Sequence, residues 1–273
     1  MMERLEWLNG AGFEALGGRC ATLAGGPVRT LLDPAEYAVA VAAGSAARLV
    51  VVHTGQGCAA LDIEVAERAR LSLVEVFLGE ASAECSIRQQ SGSTCEVTAV
   101  ELAGAGVRYR IALEGAHARS ELNGVYLAAG RERCTFDVRV DHDVPDCRSR
   151  SLVKGVAGGE ATGVFRGLVY VAPDAQRTDA QQTSRNIALS ETARITARPQ
   201  LEIYADDVKC THGATVGQMD DEAVFYMRQR GLDEAQARRL QMEGFVGAIA
   251  AGCAVEPVCE ALYGLIVRKL ERM

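Results

Sequence analysis

The amino-acid sequence predicts a mainly β protein that ends in a small α-helical subdomain. From about residue 28 to residue 217, short segments alternate apolar with polar residues, and this period of two is typical of strands with one buried face. No long helical pattern interrupts them, which argues against folds that alternate helices with strands. From residue 218 onward the apolar spacing becomes helical. We therefore divide the chain into a short N-terminal segment (1–27), a β core (28–217) and a helical subdomain (218–273).

The N-terminal segment and the β core differ in regularity. Residues 3–8 form a short helical candidate that precedes a glycine-rich stretch. In the core, strands recur about every ten residues, which suits the successive faces of a solenoid; a sandwich and a barrel are the alternatives. The 28 glycines of the chain suit the many tight turns that such a fold needs. The clearest strand segments are residues 49–52, 60–65, 71–77, 95–100, 107–111 and 135–140.

The helical subdomain is predicted to contain three helices. Asp220 can cap the first helix and Gly231 can end it, while acidic residues in the first turn suit the helix dipole. Asp233 begins the second helix and Pro257 opens the third, which ends in basic residues. Such short helices have little core of their own, so we expect them to pack against the β core or a partner. The second helix places four residues on one face at helical spacing: Ala237, Leu240, Gly244 and Ala248.

The composition limits the classes of function. The chain has 29 basic and 36 acidic residues, for a net charge of −7, and it lacks the basic cluster typical of nucleic-acid binders. The N-terminus is too charged for a signal peptide. The longest apolar stretch, residues 245–258, is interrupted by Glu256 and Pro257, well short of the roughly 20 apolar residues that cross a bilayer. We expect a cytoplasmic protein that binds neither nucleic acid nor membrane.

Familiar enzymatic motifs are missing. The sequence contains no GxxxxGK[ST] loop, no GxGxxG after a strand, no HExxH and no GxSxG, so we expect that this chain binds no nucleotide itself and is not an enzyme. The nine cysteines are scattered without a CxxC pair, and most are expected to be buried small hydrophobes.

Two polar segments receive structural interpretations. His142 lies between Asp141 and Asp143, but on a strand these carboxylates point to the opposite face. A solvated edge or an interface hydrogen bond is therefore favoured for His142 over a metal site. The acidic sequence Ala-Asp-Asp at residues 205–207 looks more like a turn than a cation site.

Cys210 and His212 are the remaining candidates for chemistry. They are two residues apart, so on an extended strand they project from the same face. A thiolate beside an imidazole suits soft or borderline metals, including iron in sulfur-rich sites, and we expect Lys209 and His212 to help lower the pKa of the thiol. Two ligands cannot enclose an ion, so further ligands must come from a second chain. Spacing alone favours the plainer alternative of a buried cysteine and a hydrogen-bonded histidine.

The sequence around these residues resembles the SufD family of iron–sulfur cluster assembly subunits. Residues 199–217, PQLEIYADDVKCTHGATVG, are similar to the C-terminal β-helix signature of that family. The Cys-x-His-Gly-Ala-Thr form of residues 210–215 is SufD-like, whereas SufB-like chains carry a Glu-His-Glu-Ala type sequence here. Further similarity covers residues 141–142, 147–150, 154–155, 165–168, 220–222 and 225–231.

The resemblance implies a right-handed parallel β-helix with a helical C-terminal subdomain. It also implies a heterodimer with SufB through the β-helix ends, and docking of the SufC ATPase on the C-terminal helices. His212 would lie at the SufB interface with Cys210 beside it, as half of the site for a transient iron–sulfur cluster shared with SufB. The residues of the first helix that we expect to contact SufC are Asp221, Phe225, Tyr226, Arg228 and Arg230.

One departure from the family pattern leaves alternatives open. SufD chains usually carry a sizeable helical N-terminal domain, whereas strands are predicted here from about residue 28, so functions of that domain, including contacts with sulfur donors, are in doubt. A stand-alone homodimer with a structural role is the first alternative. The second is a β-helix enzyme acting on polysaccharide, which is disfavoured because aromatic residues make up only 5% of the chain and the one tryptophan is Trp7.

Overall fold

The computed structural model describes residues 5–10 and 12–273. In this part of the chain, successive strands alternate between two sheets, and each strand pairs in parallel with the strands two before and two after it. This is the parallel β-solenoid that the sequence predicts. Sheet A contains β1 (Phe13–Ala15), β3 (Val28–Leu32), β5 (Ala46–His53), β7 (Arg70–Phe77), β9 (Thr94–Glu101), β11 (Arg119–Ala128), β13 (Arg148–Ala157), β15 (Asp179–Ala188) and β17 (Lys209–Gly217). Sheet B contains β2 (Cys20–Leu23), β4 (Glu36–Val41), β6 (Cys58–Val65), β8 (Ser82–Gln89), β10 (Gly106–Leu113), β12 (Arg133–His142), β14 (Thr162–Val171) and β16 (Arg194–Ile203).

The interior of the solenoid is built from stacked, in-register side chains. Because paired residues of a parallel sheet point to the same side, apolar residues on alternate positions form continuous columns. One column of sheet A runs through Leu49, Leu73, Val97 and Leu122, each of which is almost fully buried. The alternation noticed in the sequence therefore marks the inner face of each strand.

The N-terminal segment contributes to both sheets. β1 and β2 lie within residues 1–27 and pair with β3 and β4, so strands begin earlier than the sequence predicts. A short 3-10 helix spans Glu6–Asn9 where a helix was predicted over residues 3–8. Residues 1–4 lie outside the described part of the chain.

The C-terminal helices are α1 (Asp221–Gln229), α2 (Glu234–Ala251) and α3 (Glu256–Leu270). Asp220 Oδ1 accepts a hydrogen bond from Ala223 N, and Asp233 forms a reciprocal capping box with Gln236, so the predicted helix starts are confirmed. Gly231 follows α1 with φ +96°, a conformation that favours glycine. None of the described helices is long and apolar enough to cross a membrane.

The helices pack on the outer face of sheet A. Outward valines of the sheet, including Val74 and Val125, join helical residues such as Val246 and Ile266 in one apolar cluster. Two lysines form polar contacts between the helices and the β core. Lys154 Nζ donates a hydrogen bond to Phe245 O at 2.6 Å, and Lys269 Nζ forms an ion pair with Glu132 Oε2 at 2.6 Å.

The buried face of α2 differs from the face that its small residues suggest. Ala237 is buried as a core position, but Leu240, Gly244 and Ala248 are exposed. The face that packs on the sheet instead presents Met242, Val246, Gly247, Ile249 and Ala250. Glycine and alanine are compatible with either environment, so their spacing alone does not identify the buried face.

Candidate functional site

The C-terminal end of the solenoid is open. β16 and β17 end their sheets, pairing with β14 and β15 on one side, and no other described strand covers their far edges. Inward positions of β16, such as Ile195 and Leu201, are only partly buried, and most of β17 is exposed. In the preceding turns the inward positions are buried. Unpaired edges of this kind are surfaces to which another strand can add.

Cys210 and His212 lie on β17 at this open end. They pair in register with Ala180 and Gln182 of β15, both of which are buried and point inward. Cys210 and His212 therefore project to the same face, the interior face, and no further strand of the described residues lies above them. Cys210 is half-buried and packs against the small apolar cluster around Val169 and Ala205, whereas His212 is exposed.

The electrostatics of the thiol differ from the expectation that its neighbours lower its pKa. Burial raises the pKa of the Cys210 thiol; a backbone hydrogen bond from Ala180 opposes this effect, and the negative charge of Asp179 adds to it. In the free chain Cys210 is therefore a protonated thiol at neutral pH. It becomes a ligand only when a metal displaces its proton.

A polar layer lies directly beneath Cys210 and His212. On the preceding strands of sheet A, the inward positions that elsewhere carry valine or leucine carry hydroxyl and amide groups, and they are buried. These residues are Ser149 and Ser151 on β13, and Gln182, Ser184 and Asn186 on β15. The interior thus changes from apolar to polar as it approaches the open end.

The two amides of this layer are paired differently. Asn186 Oδ1 accepts from Tyr126 Oη at 2.6 Å, and Asn186 Nδ2 donates to Ser184 Oγ and to Thr215 O, each at 3.0 Å. The Gln182 amide, equally buried, has no hydrogen-bond partner at Oε1 or Nε2 among the described residues.

His142 is buried in the interior, so the prediction of a solvated edge was wrong. Its Nε2 lies 2.9 Å from Ser149 Oγ, and burial lowers the pKa of His142 to about 4, with the charge of Asp179 opposing the shift. The inward phase of β12 places the histidine inside and Asp141 outside. Asp206 and Asp207 lie in a bend between β16 and β17. There Arg177 N donates to Asp207 O at 2.6 Å, and Asp207 N donates to Gln176 Oε1 at 2.9 Å.

The predicted docking residues come together on α1. Phe225 and Tyr226 are 62% and 58% exposed, and the Arg230 guanidinium lies 4.6 Å from the centroid of the Tyr226 ring. The other two residues, Asp221 and Arg228, are also exposed. They form ion pairs with residues of α2, Asp221 with Arg238 and Arg228 with Glu234.

Comparison with known proteins identifies the family. The family model described as "SUF system FeS cluster assembly, SufBD core domain" matches residues 32–245, a range that includes the open end and α1. The chain belongs to the SufBD family. The iron–sulfur cluster assembly protein SufD of Escherichia coli (strain K12) is 34% identical over 62% of this chain. An iron–sulfur cluster assembly SufBD family protein of Mycobacterium leprae is 33% identical over 81% of it. These matches span 40% and 61% of the lengths of the two relatives.

In this SufBD-family chain, a metal site would need ligands from elsewhere. Within residues 5–10 and 12–273, no group of three or more histidine, cysteine and acidic residues could hold a metal ion. Cys210 and His212 can together supply one sulfur and one nitrogen. Iron in sulfur-rich sites takes more ligands than these two side chains supply.

A second buried polar group lies deeper in the solenoid and was missed from the sequence. His53 Nε2 lies 2.8 Å from Glu75 Oε1, and Tyr109 donates to Glu75 Oε2. Glu101 is also fully buried, yet neither of its carboxyl oxygens has a hydrogen-bond partner among the described residues. Burial raises the pKa of Glu101 well above its ordinary value. The signal was present, because Glu75 and Glu101 occupy the inward phase of β7 and β9, where leucine and valine are expected.

Proposed function

We propose that this SufBD-family chain is a SufD-type subunit, a non-enzymatic scaffold for iron–sulfur cluster assembly in the cytoplasm that pairs with SufB and docks SufC. The observation that carries the proposal is the position of Cys210 and His212 on the last strand of an open solenoid end. A partner strand added to β17 would bring its own side chains over the interior. Ligands from the partner would then join Cys210 and His212 at the interface and complete the site.

The cluster is the cargo of this site. Iron and sulfide would enter while the end is open, and Cys210 would lose its proton to the solvent as its sulfur binds iron. The His212 imidazole, exposed in the free chain, is free to turn toward a metal held by both chains. With only two ligands on this side, the cluster is held transiently and shared with SufB.

The exposed face of α1 supports docking of the ATPase. Aromatic and arginine side chains are the residues that most often dominate protein–protein binding energy, and Phe225, Tyr226 and Arg230 present them together. In this proposal SufC binds and hydrolyses ATP, and this chain binds no nucleotide. The resulting movement of the helices against sheet A exposes the interface for iron and sulfur to enter.

The experiment is co-expression with SufB and SufC, followed by anaerobic reconstitution with iron and sulfide. We expect a 1:1 pairing with SufB, and cluster absorbance that falls to a small fraction of wild type in His212→Asn. The matched control is His117→Asn, because His117 is also exposed but lies in a turn with φ +64°, which asparagine tolerates. If the chain does not pair with SufB, or if both variants assemble clusters equally well, the scaffold proposal fails.

The open end also supports a second candidate, a homodimer with a structural role. The same unpaired edges of β16 and β17 that would accept SufB can accept a second copy. In that case Cys210 and His212 would serve packing only, and the variants above would not differ. The family match gives no support to the polysaccharide-active alternative.

A further inference from the structure

Gln182 is the one amide of the polar layer that is left without a hydrogen bond. It is fully buried, and both of its polar atoms lack a partner among the described residues. Asn186, four residues along the same strand, uses both of its amide atoms. Burying an unpaired amide destabilises a fold, so a methionine or leucine at position 182 would suit the free chain better. Groups that are unfavourable in the free protein are typical of sites completed by a ligand or partner.

The amide is held in a defined place. Gly167 of β14 faces Gln182 across the interior, and a Cβ atom on Gly167 would overlap the amide. The missing side chain at Gly167 therefore leaves the room that the amide occupies. Gly167 in turn pairs with Pro199 of β16, so the amide lies one layer below the open end.

His212 is the next side chain in the same column. Gln182 and His212 are direct register partners on β15 and β17, and adjacent strands lie about 4.8 Å apart. Their side chains leave the sheet toward the same face, so the imidazole belongs to the strand next to the one that carries the amide. The exposed imidazole makes none of the hydrogen bonds or ion pairs found within the described residues.

We propose that Gln182 is the positioning residue for His212. When a partner covers the open end, Gln182 Oε1 accepts a hydrogen bond from one ring N–H of His212. This bond fixes the tautomer and the ring plane, and it leaves the other ring nitrogen for the metal. Metal-binding histidines commonly donate their second N–H to a carbonyl or carboxylate, and loss of that acceptor weakens metal binding by about 10–100-fold. The inference rests on the proposed function. In it, Gln182 holds the His212 ring in one orientation for the metal.

The test uses the complete chain in complex with SufB and SufC, with Co²⁺ as the probe. The part of the thiolate-to-cobalt charge-transfer absorbance that is lost in Cys210→Ser reports the Cys210 ligand, and d–d bands report the geometry. We expect Gln182→Met to weaken Co²⁺ binding by about 10–100-fold and to shift the d–d bands. Gln182→Glu keeps an acceptor oxygen and should restore affinity to within about threefold of wild type. The matched control is Gln181→Met, an exposed glutamine on the opposite face of the same strand.

Two further measurements separate the possible failures. In the free chain, Gln182→Met should not lower the thermal midpoint, because it removes an unpaired amide; a large drop would show a packing role and overturn the inference. If His212→Asn weakens Co²⁺ binding but Gln182→Met does not, Gln182 has no role toward His212 and only this inference fails. The same holds if Gln182→Glu binds as weakly as Gln182→Met. If His212→Asn itself binds like wild type, the half-site fails and the inference fails with it.

Discussion

Glu101 is an acid that the fold keeps neutral. It lies in register with Tyr126 on the inner face of sheet A. Its carboxyl oxygens form no hydrogen bond of standard geometry within the described residues, while the Cys134 thiol and the Val107 N–H lie near enough to favour the charged form. Burial is the main cause that raises its pKa, the charge of nearby Glu75 adds to it, and the neighbouring Cys134 thiol opposes it. By contrast, Glu75 has His53 and Tyr109 as partners. The same interior therefore holds one carboxyl group with two hydrogen-bonding side chains, Glu75, and one without a hydrogen bond of standard geometry within the described residues, Glu101.

This difference predicts how stability depends on pH. In the unfolded chain Glu101 ionises near its ordinary pKa of 4.5, whereas the folded chain keeps the proton. The contribution of the Glu101 proton to the free energy of unfolding is therefore fully present below pH 4.5. It falls as the pH rises toward the folded pKa, by up to about 1.4 kcal/mol per pH unit. We expect Glu101→Gln to be close to wild type near pH 4.5 and to exceed it by on the order of 1 kcal/mol or more at pH 7. Urea unfolding at a series of pH values measures this difference.

The control for this prediction is Glu64→Gln. Glu64 is exposed on the outer face of β6, so its replacement should change stability by no more than about 0.5 kcal/mol at any pH. Parallel stability curves for wild type and Glu101→Gln across the pH range would show that Glu101 is not held neutral.

At the scale of the elements, glycines make room for large side chains in the solenoid interior. Tyr126 points along the solenoid axis over Gly155, its register neighbour on β13, and also contacts Gly163 on β14. A Cβ atom at either glycine would overlap the ring. The ring reaches across one strand to place its hydroxyl on Asn186. The two glycines thus leave room for a tyrosine that joins the apolar interior to the polar layer beneath Cys210 and His212.

We expect Gly155→Ala to destabilise the fold by about 1–3 kcal/mol, because the tyrosine ring must leave its place. Gly106→Ala is the control, since its added Cβ would meet only ordinary contact with Thr135 and should be neutral or slightly stabilising. In a double-mutant cycle, Gly155→Ala should destabilise the Tyr126→Leu background less than it destabilises the wild type. The difference, the coupling energy, should be about 0.5–3 kcal/mol. Additive effects of the two changes would refute the steric explanation.

The elements also show what the sequence could and could not predict. Period-two alternation located strands such as β6 and β7, and the capping residues Asp220 and Asp233 located the helix starts, because both signals are local. The strand register that pairs Gln182 with His212 depends on the lengths of the turns between these strands, so no local pattern in the sequence reveals it. The prediction that Cys210 and His212 share a face needed only the strand period. The inward phase of β9 marks Glu101 as a buried position, but whether Gln182 or Glu101 finds a hydrogen-bond partner depends on neighbouring layers that no local pattern reveals.

At the scale of the whole molecule, the surfaces are unequal. The helices cover the outer face of sheet A, whereas the outer face of sheet B carries cross-strand ion pairs such as Arg166 with Asp137 and Arg88 with Asp62. Exposed pairs of this kind contribute little to stability, but they keep that face hydrated. At the C-terminal end of the solenoid, no described helix packs over the last strands, and Ile203, Tyr204 and Val216 are exposed. An open β edge beside exposed apolar residues favours association with another β edge.

We therefore expect the isolated chain to associate through this end. Its weight-average mass in sedimentation equilibrium should rise from 29.1 kDa toward twice that value as the concentration increases. Val216→Lys should keep the chain monomeric, because Val216 pairs with the inward-facing Asn186 and a lysine there would be buried without a partner at the interface, at a cost of several kcal/mol. Thr196→Lys is the matched control: it adds the same charge to the adjacent end strand, but on the outer face. If both variants associate like wild type, or if both are monomeric, the association does not use the open end. A monomeric Val216→Lys variant that also fails to pair with SufB would show that one surface serves both partners.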